Sequence, residues 1–436
     1  MFLRPNLYTS YEQETQILPT YTKKVLAAIA IIVLFLIPFD VPLITSATDL
    51  PLLRNIPIIS NGIPPLRFFG DNNWLRVLDE ALIFGIAALG LNILTGLAGQ
   101  VSLGHAFFMG VGAYTGAVLG GVATSSVWGW NLPIWIWLPG AGIGAALVGI
   151  IVSPVAVRLR GLYLAIVTLG LVFVGIHMSN TTWGKHIAGD PGLGRDFPTY
   201  DIRVWKEETP LISIDEDGKW FGFLDVTDNQ KKYLFLAVLF LFFILLAKNI
   251  ARTRTGRALQ AIRDRDIAAE VMGVPEFKYK LIAFATSSFF AGVSGALFAS
   301  FAGKLPASQF SLVLSVEFIA ILLIGGVGTV SGTVMGTFFV VLTPKFVESF
   351  TDWLADKTEG TGIGAKLAEV VISTGPGNQG PVSSATQTPG YPLNVFDWNL
   401  VLYGVLIIVF LIFEPLGLYG IWIKIRNYWK RWPFSY

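Results

Sequence analysis

Apolar segments of bilayer length alternate with short polar joints along the chain, at 25–39, 76–95, 101–123, 132–157, 161–178, 233–247, 281–302, 312–324, 330–344 and 398–413. A crossing helix needs roughly 20 apolar residues. About ten such segments therefore predict an all-α polytopic membrane protein, with the shorter stretches completed by interfacial residues or left as half-helices. One stretch is not a plain span. From Gly90 to Gly120 the run GLNILTGLAGQVSLGHAFFMGVGAYTGAVLG is apolar yet interrupted by glycines and polar side chains. Backbone freed from helix pairing survives in hydrocarbon only where protein buries it or where it lines a cavity. Gly96, Gly99, Gln100, Ser102 and His105 accordingly read as a broken or re-entrant helix beside a translocation pathway.

The break has an echo. Gly96, Gly99 and Ser102 of GLAGQVS recur as Gly325, Gly328 and Ser331 of GGVGTVS, each pair 229 residues apart. Both copies fall between two short apolar segments, and paired interrupted segments in corresponding halves point to a transport pathway. Helix packing is the competing reading. It is preferred for Gly112, Gly116 and Gly120, whose spacing of four makes a small face on which another helix can lie closely.

Composition agrees, since 53% apolar and 14% charged residues exceed what a soluble domain can hide. The first 24 residues carry Glu12, Glu14 and Pro19 and no small-residue cleavage site, so the first span is expected to be its own signal anchor. With Lys23 and Lys24 inside, pieces 1–24, 158–160, 248–280 and 414–436 carry 17 basic residues against 7 acidic, which predicts cytoplasmic N- and C-termini. That parity requires 312–344 to be a tight two-segment hairpin. The order is then a cytoplasmic segment 1–24, a first transmembrane half 25–178, an exported loop 179–232 and a second half 233–344 containing the cytoplasmic loop 248–280. An exported loop 345–397 and a last span with basic tail, 398–436, follow. Disorder is expected around 374–390, where Gly, Pro, Ser, Thr and Gln leave little to bury.

Several chemistries are disfavoured. Zero cysteines exclude disulfides and thiol ligands. No catalytic residue, metal site or cofactor site is read. A self-contained ion-coupled carrier keeps ionisable groups at membrane depth. Here Asp79 and Glu80 fall at a span entrance, Glu317 in the first turns of its segment and His177 at an exit, leaving His105 as the one deep candidate. A hydrogen-bonded structural role is preferred for His105 over a relay. GTGIGAK at 360–366 lacks the Gly-Lys-Ser/Thr ending of a phosphate loop. Energy would thus arrive through another subunit.

The contact for that subunit is read in 248–280. Ala258, Ala261, Ile262, Ala268, Ala269 and Met272 recur at helical spacing, with Arg257, Arg263, Asp264, Asp266 and Glu270 on the remainder. Asp264 or Asp266 can cap a helix start, and Gly273 before Pro275 ends it. A small-faced helix with a charged rim suits another protein's groove; lying on the membrane surface is the alternative.

Four blocks carry a resemblance: GLNILTGLAGQVSLGHAFFMGVGAY, RLRGLYLAIVTLG, RTGRALQAIRDRDIAAEVMGV and LIGGVGTVSGTVMG, in order between residues 90 and 336. With them the chain resembles the inner-membrane permeases of high-affinity branched-chain amino acid ABC transporters, of the type that carries GLYLAIVTLG at 161–170. GDPGL at 189–193 is similar to that family's exported Gly-x-x-Gly-Leu element. The resemblance implies a non-enzymatic importer subunit in the bacterial inner membrane, paired as a heterodimer with a second permease, two cytoplasmic ATPases and an exported solute-binding protein. It implies a coupling helix within Arg257–Gly273, with Arg257, Ala261, Arg263, Asp264, Ala268, Ala269 and Gly273 facing the ATPase, and a pathway past Gly96–His105 and Gly325–Ser331. A neutral amino acid, branched-chain or other, is the expected solute. Urea or a short amide is the alternative, and a secondary carrier a more distant one.

Overall fold

A computed structural model of the chain describes residues 21–39, 72–358 with gaps at 160, 204, 206–211, 216–217 and 221–223, the pairs 372–373 and 382–383, and 401–431 with gaps at 402–403, 406–407, 411 and 415. Helices dominate. They are α1 (Tyr21–Leu36), α2 (Asn72–Leu91) with a π-helical turn Asn92–Leu97, α3 (His105–Gly120), α4 (Ile134–Arg158), α5 (Leu162–Asn180) and α6 (Thr182–Ala188). Next come α7 (Asp228–Arg252), α8 (Arg254–Asp264), α9 (Asp266–Val271), α10 (Glu276–Ala302), α11 (Leu312–Gly325), α12 (Val330–Thr358) and α13 (Gly417–Arg431). Among the described residues, seven helices are long and apolar enough to cross a membrane.

The central helix is α2, for 89% of its apolar window is buried inside the protein, against 22% for α5 at the periphery. Helices α7, α10 and α12 pack on α2, and α10 also runs along α3 and α4. Small residues allow this closeness, since apolar side chains gain little by leaving lipid and association depends on tight contact. A Cβ on Gly112 would collide with Gly292 of α10, one on Gly116 would lie 3.0 Å from Ala296, and one on Gly120 would lie 2.5 Å from Trp137. The glycines at every fourth position of α3 thus form a packing face.

Several expected boundaries move. The segment 101–123 contributes only a 16-residue helix, because Val101–Gly104 is non-helical. The 312–344 hairpin forms, but α12 continues through Pro344 to Thr358, so the loop expected from 345 begins as helix. The basic tail is not a loose segment: Gly417–Arg431 is a 15-residue helix. Residues 1–20, half of 398–413 and most of 374–390 lie outside the described residues. Within the last stretch Val382–Ser383 pairs in parallel with Ile372–Ser373.

The 179–232 loop is ordered largely by polar packing. Its Arg195 side chain, 3% exposed, donates to the carbonyls of Ala117, Trp128 and Ile187, each at 2.9 Å, fastening the loop to the end of α3. Arg195–Asp196 pairs antiparallel with Lys304–Leu305 beyond α10. In GDPGL, Asp190 Oδ1 accepts from the N–H of Gly192 and of Leu193 at 2.8 and 3.2 Å, and these donors hold its carboxyl below the usual carboxylate range.

Candidate functional site

The two glycine breaks meet each other and the α8–α9 loop at one end of the bundle. Past Leu91 the chain widens into the π turn, a form that often marks functional positions. Asn92 Oδ1 accepts from the N–H of Gly328 at 2.8 Å. A Cβ on Gly96 would sit 2.6 Å from that same nitrogen, so glycine is what allows the second break to lie on the first. Gly99 and Gly328, equivalent in the 229-residue echo, have φ of +69° and +84°, the left-handed region open to glycine. The internal repeat is therefore a repeat of backbone conformation. It ends there, because Ser102 precedes its helix by three residues whereas Ser331 lies inside α12.

Arg263 fills the third side. Its Nη1 donates to the carbonyl oxygen of Gly96 at 2.7 Å, and its Nε pairs with Asp264 at 3.2 Å. A Cβ on Gly99 would fall 2.6 Å from Arg263 Cγ, and one on Gly328 3.1 Å from Arg263 Nη1.

Other site residues hold the broken segment. Thr95 Oγ1 donates to Gln100 O at 3.1 Å, while the Gln100 side chain is buried with neither amide atom hydrogen-bonded among the described residues. Ser102 Oγ accepts from the N–H of Gly104 at 3.3 Å. Thr168 of the GLYLAIVTLG helix accepts from the N–H of Leu103 at 3.0 Å. His105, 1% exposed, bonds through Nε2 to the carbonyl of Ala87 at 2.9 Å and sets its ring edge-on to Phe318. A carbonyl only accepts, so Nε2 carries the proton. Gly325 is different. Its Cβ would collide with the Gly332 carbonyl, which makes it a contact between α11 and α12, and Ser331 is exposed.

In the loop, the stripe expected to face outward is divided between two helices. Arg265, at φ −155° and ψ 99°, separates α8 from α9. Ala258, Ile262 and Ala269 are buried against the bundle, whereas Arg257, Ala261 and Ala268 are exposed. The outward apolar face belongs instead to Ile267, Val271 and Met272, at 68%, 81% and 83% exposed. The expected stop holds: Gly273 takes φ +84°, with Gly273 N donating to Glu270 O and Val274 N to Ala269 O, the paired bonds of a Schellman end. Asp266 opens α9 and accepts from the N–H of Ile267, while Asp264 ends α8.

Three positions that the structure singles out escaped the sequence reading. Asn92 and Thr329 bridge and cap the breaks, the latter accepting from Gly332 N at 3.2 Å, and a cap signal was present in TVSG. Asp79, assigned to a span entrance, is 0% exposed, with neither carboxyl oxygen hydrogen-bonded among the described residues. His105 is thus not the only ionisable side chain of the spans that is buried in the protein. At the opposite end of the bundle a cavity of about 390 Å³ opens between the ends of α3, α4 and α10, lined by Asn131, Arg195, Asp196, Asp201, Arg203 and Lys304.

Residues 73–411 match the family model described as the permease component of branched-chain amino acid transport systems. The chain is similar to the high-affinity branched-chain amino acid transport system permease protein LivM of Salmonella typhimurium and of Escherichia coli K12. Each is 32% identical over 291 residues, and the match covers 66% of this chain and 66% of the relative, just under two thirds of its length. It is also similar to the autoinducer 2 import system permease protein LsrC of Photorhabdus laumondii, 32% identical over 143 residues, 30% of this chain and 43% of that relative. No solved structure matches.

Proposed function

The chain belongs to the family of permease components of branched-chain amino acid transport systems, and from that premise we propose that it is a membrane subunit of an inner-membrane ABC importer for branched-chain or other neutral amino acids. On this reading it supplies half of the translocation pathway and takes its energy through the α8–α9 loop. The observation that carries the proposal is the Arg263 bond to Gly96, at the point where the second break also arrives. A loop that moves with an ATPase can act on a membrane segment only through contacts that differ between two states. Arg263 is placed to make such a contact, since its guanidinium reaches from the loop to the backbone of one break and the edge of the other.

The partners follow from the surfaces. The apolar outer face of α9 suits the groove of a cytoplasmic ATP-binding subunit, of which a complete importer would hold two. The weakly buried α5, with Tyr163, Ile166 and Phe173 outward, suits a second, similar permease across the pathway. The end carrying Arg195 would face outward and receive a solute-binding protein, and the break end would face the cytoplasm with both termini. Gln100, buried beside the first break with neither amide atom hydrogen-bonded among the described residues, supports a lining role there, because a buried amide calls for a polar partner.

The test is reconstitution with a second permease, ATPase subunits and a solute-binding protein from the same organism. Leucine uptake should require ATP and all partners, and urea should not compete. Uptake with the permeases alone would overturn the ABC reading; urea uptake without leucine uptake would replace the solute.

A further inference from the structure

The chain continues beyond the two halves of the junction into a C-terminal helix whose position and chemistry have a use of their own. Helix α13 starts against the second break. A Cβ on Gly417 would lie 2.5 Å from the Ile324 carbonyl and 2.8 Å from Gly326 N, and one on Gly326 would lie 3.1 Å from Tyr419 Cβ. The helix therefore begins where α11 ends and α12 starts, at the same end of the bundle as the α8–α9 loop.

Its faces are sorted. At 3.6 residues per turn, Tyr428, Ile421, Ile425 and Trp422 fall on one arc of roughly 120°. These four are exposed by 63%, 38%, 46% and 43%. Lys424 and Arg426 stand at the two edges of that arc, the sequence adds Lys430 and Arg431, and residues 417–431 contain no acidic side chain. The only described ion pair of α13 joins Lys424 to Glu414 just before the helix, and Arg426 keeps a buried Nε without an acceptor among the described residues. An apolar arc with aromatic residues, edged by cations, is the composition of a helix lying in the plane of a bilayer interface.

We propose that α13 is an interfacial helix that binds anionic phospholipid headgroups, with Trp422 and Ile425 in the acyl boundary and Lys424 and Arg426 at the phosphates. Charge complementarity selects this occupant over a protein groove, because the basic edges and absent acids match the negative surface of a leaflet. Engagement braces α13 against Gly326 and so sets the turn between α11 and α12.

The chain has no cysteine, so Ile425→Cys and Asn427→Cys give unique sites for an environment-sensitive fluorophore on the apolar and polar arcs. The labelled permease, assembled with its partner subunits, is placed in phosphatidylcholine vesicles with or without phosphatidylglycerol. With phosphatidylglycerol, a lipid-borne quencher should reach position 425 and aqueous iodide position 427. Each charge removed in Lys424→Gln and Arg426→Gln should weaken this engagement roughly fivefold. Iodide access at 425, shielding of 425 from both quenchers by a protein partner, or the same lipid quenching without phosphatidylglycerol would each overturn the proposal. Co-purification of each variant with its partners checks that it is folded.

Discussion

Arg263 and Gly96 lie 167 residues apart and meet through one bond, the Arg263 Nη1 donating to the Gly96 main-chain carbonyl at 2.7 Å. The acceptor is backbone, so the contact reads the position of the broken segment itself and does not depend on a side chain there. Gly96 has to be small for a separate reason, the approach of Gly328. One residue thus presents its carbonyl to the loop and its bare Cα to the second break, so a shift of either would be felt by the other.

Arg263→Ala removes a charged hydrogen bond of a kind that contributes about 1.5 to 3 kcal/mol. Since the side chain is 40% exposed, the lower end applies. ATP-driven uptake should fall roughly tenfold while membrane insertion and ATPase binding persist. Arg263→Lys should recover only part, because an ammonium cannot hold both Gly96 and Asp264 as the planar fork does. Uptake in reconstituted vesicles, compared with pull-down of the ATPase, measures both. Unchanged uptake in the alanine variant would remove Arg263 from coupling.

Glycine substitutions should separate gate from packing. Gly99 is exposed but at positive φ, so Gly99→Ala strains the turn and crowds Arg263 while leaving the core intact; folded yield should hold and uptake should drop. Gly325→Leu wedges α11 from α12, an overpacking that costs typically 1 to 3 kcal/mol, and should lower thermal stability and yield together with uptake. Equal losses of yield in both variants would show that the first break is packing too.

What the sequence made legible, and what it did not, follows from the range of the forces. The breaks were visible because hydrocarbon forbids loose backbone, so glycines in an apolar run at Gly96 and Gly328 announce themselves. The end of α9 was visible because Gly273 and Pro275 act locally. The face of the α8–α9 loop was misread because one residue, Arg265, leaves helical geometry and rotates Ala268 and Met272 away from Ala258 and Ile262. Gly325 was grouped with the pathway by its position in the repeat, although its neighbour is Gly332, a contact set by the hairpin. Asp79 looked peripheral because its burial is a tertiary fact, and α13 was read only for its charge, without its second, apolar face.

The outward face of α9 gives a paired test. Val271→Asp with Met272→Asp places charge on residues 81% and 83% exposed, so the bundle should fold normally and lose ATPase association and uptake. Ala269→Asp buries a charge against the bundle and should instead reduce folded yield. Thermal melts of detergent-solubilised protein beside ATPase pull-down separate the two. If the double variant keeps its ATPase, the docking face lies elsewhere.

His105 tests the source of energy. Its Nε2–H is committed to the Ala87 carbonyl and its ring edge to Phe318, which leaves a buried side chain holding α2 against α3. His105→Gln keeps a donor of similar reach and cannot titrate. It should retain most uptake, still require ATP, and ignore an uncoupler applied at fixed ATP. His105→Leu leaves the buried Ala87 carbonyl without that donor, a loss of about 1 to 3 kcal/mol, and should lower the melting temperature more than the glutamine variant does. A proton-coupled carrier would behave in the opposite way, with the glutamine variant inactive and wild-type uptake collapsing under the uncoupler. That outcome would make His105, with Asp79 buried on the same helix as its carbonyl partner, a proton path and would end the ABC assignment.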